Sequence, residues 1–112
     1  MDCLFCKIGG KKIPADIVYE SDGFLAFKDI KPKADFHILI IPKKHIESIK
    51  KIQDQDKELI GEMFLFVKKV CQKNNLKGYK IVINVGRQGG QFVDHLHLHL
   101  LAGRIKDIIK KI

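Results

Sequence analysis

Hydrophobic and polar positions change their period along the chain, and each change predicts an element. Ile17-Val18-Tyr19-Glu20 is branched and aromatic, the composition of a short strand. Ser21-Asp22-Gly23 reads as a turn. Phe24-Leu25-Ala26-Phe27-Lys28-Asp29 resumes the extended pattern and closes a hairpin. Lys31-Pro32-Lys33-Ala34-Asp35 breaks it. His37-Ile38-Leu39-Ile40-Ile41 is apolar enough for a buried strand, and Pro42 ends it because proline cannot donate to a central ladder.

From about Asp54 to Asn74 the period becomes helical. Leu59, Ile60, Met63, Phe64, Val67, Val70 and Cys71 recur at i, i+3 and i+4 spacing. Asp54 or Asp56 caps the start, lysines crowd the end where the dipole favours cations, and Gly78 reads as the stop. Gly61 within the helix marks an expected close contact. Lys80-Ile81-Val82-Ile83-Asn84-Val85 then reads as a strand and Gly86–Gln91 as a loop. The order predicts an α+β domain over residues 1–112: about five mainly antiparallel strands with one long helix over one face.

The last pattern is the most informative. In His95-Leu96-His97-Leu98-His99-Leu100-Leu101, histidine stands at every second position. Strict alternation is the period of a strand, so the three imidazoles share one face and Leu96, Leu98 and Leu100 the other. Imidazole titrates near neutrality, ligates metals and attacks electrophiles. One ion cannot take all three, because i to i+4 along a strand spans roughly 13 Å.

Composition narrows the rest. Hydrophobic residues make up 46% of the 112 residues, enough for a core. No apolar run is long enough to span a bilayer, and the start shows no secretory pattern, so a cytoplasmic protein is expected. The net charge of +8 comes from scattered lysine pairs without a long basic tract, which reads as a solvated surface rather than a nucleic-acid patch. Cys71 falls in the helical pattern as a small core residue. Cys3 and Cys6 have the Cys-x-x-Cys spacing of a metal or redox pair.

Gly86, Gly89 and Gly90 permit close backbone approach to a ligand, and such loops offer N–H groups to anions. Asn84 and Gln91 add neutral amides. Phosphate donors beside a nucleophilic imidazole suit phosphoryl or nucleotidyl transfer through a labile N–P bond, with a neighbouring imidazolium to protonate the leaving group.

With these residues in place, the His-φ-His-φ-His-φ-φ run resembles the signature of the histidine triad (HIT) family, and the chain is most similar to its Hint-like nucleotide-binding hydrolases. Phe5-Cys6-Lys7-Ile8, Ile13-Pro14-Ala15, Leu25–Pro32, His37–Ile46 and Gly89-Gly90-Gln91 extend the resemblance over nearly the whole chain. It implies a HIT-like fold with a short N-terminal helix, a two-fold homodimer, and cleavage at the α-phosphate of a purine nucleotide conjugate, AMP- or GMP-like. His97 would be the nucleophile, with His99, Asn84, Gly90 and Gln91 at the phosphate. Asp29 would take the ribose hydroxyls, and Phe5, Ile8, Ile13, Phe27 and Ile30 would wall the purine slot. Some bacterial members bind zinc through a similar cysteine pair. By residue match Cys3, Cys6, His45 and His95 would form the set, with His37 outside it.

Two positions depart from the pattern. Phe92 falls among the nucleotide-binding positions, where relatives commonly carry a serine whose hydroxyl helps at the phosphate and leaving group. The tail from Ile105 to Ile112 is basic and amphipathic. A weakly active or non-catalytic nucleotide- or partner-binding module therefore stands as the alternative. A zinc-containing nucleic-acid-binding domain has the charge but no base-reading element.

Overall fold

The computed structural model describes residues 3–106. A short helix, α1 (Leu4–Gly9), precedes strands β1 (Ile17–Glu20), β2 (Phe24–Lys28) and β3 (Ala34–Pro42). The long helix α2 (Lys57–Lys73) leads to β4 (Lys80–Val82) and β5 (Leu98–Ile105). The sheet order is β1-β2-β3-β5-β4, antiparallel at every pairing.

Period-2 alternation sorts each strand between two cores. Phe24, Ala26, Ile38, Ile40, Leu96, Leu98 and Leu100 meet Met63, Phe66, Val67 and Val70 of α2. Each such fully buried large side chain contributes roughly 1.5–3 kcal/mol by leaving water. Leu25, Phe27, Leu39 and Ile41 point to the other face, where Phe5 and Ile8 of α1 cover them. The long helix and the short one therefore lie on opposite faces.

Several boundaries differ from the sequence expectations. Asp54–Asp56 forms a separate 3-10 turn before α2, and the Asp56 carboxylate accepts the Gln53 N–H at 2.9 Å. The helix ends at Lys73, and Asn75 rather than Gly78 turns the chain out of it: Asn75 adopts φ 54°, and Leu76 N–H returns to the Cys71 carbonyl at 3.0 Å. Gly61 marks no close contact, since an added Cβ would meet nothing within 4 Å.

The histidine run differs most. Only His99 lies inside β5, because the ladder with β3 starts at Leu98. Upstream, the Leu96 N–H leaves the ladder for the Ile46 carbonyl at 2.6 Å, and the His95 N–H bonds the Val93 carbonyl at 2.9 Å. β4 ends at Val82, paired with His99, three residues short of the expected strand. The side-chain alternation survives. No helix among the described residues is long and apolar enough to cross a membrane. Most of the basic tail, residues 107–112, lies outside the described residues.

Candidate active site

A cavity of about 770 Å³ opens on the sheet face that α1 only partly covers. Phe5, Ile8, Phe27 and Leu39 form its apolar end; Asp29, His37, Asn84, Gly90, His97 and His99 form its polar end. The Phe5 ring meets Phe27 edge-on at 5.6 Å and His97 at 5.1 Å, so it links the apolar wall to the polar floor. Ile30 and Phe92 stand at the mouth, 93% and 75% exposed.

Two expected lining residues are absent from the wall. Ile13 packs against the core beneath α1. Gln91 is buried, and its amide serves the backbone. Its Nε2 donates to the Glu47 carbonyl at 2.7 Å and the Val93 carbonyl at 3.0 Å, while its Oε1 accepts the Gly86 N–H at 3.0 Å. A side chain so engaged has nothing left for phosphate; it holds the glycine loop instead.

The hydrogen-bond partners fix the tautomer of each triad histidine, and His97 differs from the other two. His97 Nδ1 lies 2.7 Å from the His95 carbonyl, which can only accept, so Nδ1 carries the proton and Nε2 keeps its lone pair. His95 Nε2 lies 2.7 Å from the Pro42 carbonyl, so here Nε2 is protonated and Nδ1 bears the lone pair. The third assignment begins at His37. The Lys33 backbone N–H donates to His37 Nδ1 at 3.0 Å, which puts the His37 proton on Nε2. That proton goes to His99 Nδ1 at 2.9 Å, leaving His99 with an Nε2–H donor.

The charges agree with these roles. Burial pushes His97 and His95 below the ordinary imidazole value, which keeps both neutral near pH 7. Burial, and then the neighbouring His97 and His37, lower His99 to about 4. His99 is therefore a neutral donor at pH 7, not the imidazolium expected to protonate a leaving group. Asp29 is held in place: its Oδ1 accepts the Lys31 N–H at 2.8 Å and its Oδ2 lies 3.4 Å from His37 Nε2. Asp29, His37 and His99 also cluster closely enough to suggest a cation site. The tautomer argues against it, because His37 Nε2 presents a proton there rather than a lone pair.

Gly90 adopts φ 88°, and a Cβ there would lie 3.4 Å from Asn84 Nδ2. Asn84 gives one N–H to the Gly89 carbonyl at 2.8 Å and turns toward the cavity. Arg87 braces the far side of the loop. Its guanidinium donates to the Gln91 carbonyl at 2.6 Å and grips Asp94 through two bonds of 2.9 and 3.0 Å.

Behind the cavity, Cys3, Cys6, His45 and His95 converge. His95 Nδ1 is 3.4 Å from Cys3 Sγ, 3.5 Å from Cys6 Sγ and 3.2 Å from His45 Nδ1; Cys6 Sγ is 3.3 Å from His45 Nδ1. Tetrahedral zinc with ordinary Zn–S and Zn–N bonds needs ligand–ligand edges of about 3.3 Å for N–N, 3.6 Å for N–S and 3.8 Å for S–S. The four distances lie within about 0.3 Å of these edges, and the His95 tautomer leaves its Nδ1 lone pair free for a metal. Burial raises the Cys6 thiol, so a cation is what would deprotonate it.

Sequence reasoning weighed His37 only as a zinc ligand and set it aside, and it passed over Lys33 and Arg87. For His37 a signal existed: it shares the alternating face of Leu39 and Ile41 on β3.

The family model described as scavenger mRNA decapping enzyme C-term binding matches residues 2–111. An uncharacterized HIT-like protein of Synechococcus elongatus is 48% identical over 104 residues, covering 92% of this chain and 91% of its own length. A HIT family hydrolase from Legionella pneumophila superposes with a TM-score of 0.89 at 50% identity, covering 92% of this chain and 94% of its own. A histidine triad nucleotide-binding protein from Candida albicans gives 0.82 at 35% identity, covering 95% and 76%. With its triad histidines arranged as described and its length matched by these relatives, the chain belongs to the histidine triad family.

Proposed function

We propose that this protein is a nucleotide hydrolase or transferase that cleaves purine nucleotide conjugates at the α-phosphate through a covalent intermediate on His97. The observation that carries the reading is the 2.7 Å bond from His97 Nδ1 to the His95 carbonyl. It holds the ring with the Nε2 lone pair free at the cavity floor. Relatives named as HIT family hydrolases and as a nucleotide-binding protein support the reaction and substrate classes.

The Nε2 lone pair attacks phosphorus; an N–P bond forms and the bond to the leaving group breaks. The positive charge that develops on the ring is eased by the His95 carbonyl. The departing amine or oxyanion takes its proton from water, leaving hydroxide, while the neutral His99 ring keeps its Nε2–H as a hydrogen-bond donor. Water then attacks phosphorus and gives its proton to the hydroxide left by the first step, the N–P electrons return to Nε2, and a nucleoside monophosphate leaves. His99 Nε2–H, Asn84 and the backbone near Gly90 stabilise the phosphate oxygens. Asp29 accepts the ribose hydroxyls, and Phe5, Ile8, Phe27 and Ile30 hold the purine. AMP release from an adenosine phosphoramidate tests this: His97→Ala abolishes it, and undiminished release would overturn the mechanism. AMP binding without turnover would favour the binding-module reading.

Cys3, Cys6, His45 and His95 would hold a structural zinc ion. Bound there, zinc would tie α1 and Phe5 to the triad strand. A two-fold homodimer is part of the same reading. Phe64 and Leu65 of α2 are 45% and 66% exposed, and β4 is a sheet edge. Leu65→Glu should shift the protein from dimer to monomer in sedimentation; a monomeric wild type would remove the dimer from the reading.

A further inference from the structure

Phe92 stands where the family resemblance leads one to expect a serine, and the proposed chemistry leaves its ring without a task. It is 75% exposed yet lines the cavity mouth. None of the aromatic pairs among the described residues includes it. An exposed aromatic ring on a mobile loop would mean little, but this backbone is pinned on both sides. Arg87 holds the Gln91 carbonyl at 2.6 Å and Asp94 through two bonds, and the Gln91 amide anchors the turn to Glu47 and Val93.

The direction of the reaction gives the ring a partner. In-line displacement puts the leaving group opposite the nucleophile. The nucleophile, His97, is on the floor and only 7% exposed. The leaving group therefore departs toward the mouth, where Phe92 stands. Arg87, the cation nearest to it in sequence, is neutralised by Asp94, so this part of the rim suits an uncharged group.

We propose that Phe92 is a specificity-determining residue for the leaving group, a stacking platform that favours nucleotide conjugates whose leaving group carries a planar aromatic ring. This rests on the nucleotidyl-transfer reading of the same cavity. The ring could belong to an arylalkyl amine or to the second base of a dinucleoside polyphosphate; both offer a face to stack on.

The test compares kcat/KM for adenosine phosphoramidates of phenethylamine and of propylamine, with diadenosine triphosphate as a third substrate. Wild type, Phe92→Ala, Phe92→Ser and Phe92→Tyr are measured alike. Phe92→Ala and Phe92→Ser should lower the phenethylamine-to-propylamine ratio by roughly three- to tenfold, and Phe92→Tyr should keep it. A loss on diadenosine triphosphate alone would identify the ring as a nucleobase. Inhibition by AMP, which lacks a leaving group, reports whether the rest of the pocket is intact in each variant. Wild-type turnover with ratios that ignore residue 92 would overturn this proposal alone. No turnover of any substrate by wild type would overturn the function and this proposal with it.

Discussion

His37 donates its Nε2–H to Nδ1 of His99 across 2.9 Å, and this bond decides which nitrogen of His99 faces the cavity as a donor. The pair belongs to adjacent strands, β3 and β5. The Lys33 N–H fixes the first ring, and the first ring fixes the second. His37 thus acts through His99 and is a positioning residue.

Replacing it separates positioning from folding. His37→Phe should lower kcat by roughly ten- to a hundredfold, the usual cost of losing a group that orients a histidine, while nucleotide affinity changes far less. His37→Gln, which still offers an N–H, should recover part of the loss. Equal kcat in both variants, with equal losses of Tm, would reduce His37 to a packing residue.

The low value of His99 makes stability depend on pH in a defined window. Unfolded, the ring takes a proton below its ordinary value of 6.5; folded, only near 4. Between those limits the unfolded state binds more protons, so stability falls as pH falls from 6.5 to 4, by on the order of 1 kcal/mol per pH unit at most. The groups facing His99 are His97, His37, Lys33 and Asp29, and only Asp29 favours the proton. Tm measured across this window should drop, and more gently in His99→Gln. A flat wild-type profile would contradict the burial of a neutral ring.

Gln91 offers a sharp contrast between two roles. As a buried backbone clamp, its replacement by leucine strands the Glu47 and Val93 carbonyls and the Gly86 N–H, at a cost of about 1–3 kcal/mol. For a domain of this size that lowers Tm by roughly 4–8 °C per kcal/mol. A phosphate ligand would behave differently: Tm would hold while AMP binding weakened. Thermal melts and AMP titrations of Gln91→Leu distinguish the two.

These residues also mark where sequence reading stops. The Leu96-Leu98-Leu100 face was legible because side-chain alternation is local. The start of β5 was not, because a distant carbonyl, that of Ile46, draws Leu96 out of the ladder. Gln91 looked like a phosphate donor since an amide is the same whether it faces ligand or backbone, and Glu47 is 44 residues away. His37 was visible as a histidine on a strand, but its meaning depends on His99, 62 residues later. The cysteine and histidine set was reached through family resemblance; its packing into one cluster is a property of the fold.

That cluster supports the last prediction. His95 lies two residues from the nucleophile, and its backbone carbonyl is the group that orients His97. Its side chain joins Cys3 at the N-cap of α1, and α1 carries Phe5 onto His97. A zinc ion here would fasten α1 and the triad segment to one point. Protein purified without chelators should hold about one zinc per chain by metal analysis, and less than about 0.2 would count against the site. Binding at a hundredfold excess over Kd stabilises by about 2.7 kcal/mol, so a strong chelator should lower Tm by on the order of 10 °C. Cys3→Ser/Cys6→Ser should melt at the chelated temperature and ignore the chelator. If that double variant still responded to chelator as wild type does, the metal would be held elsewhere.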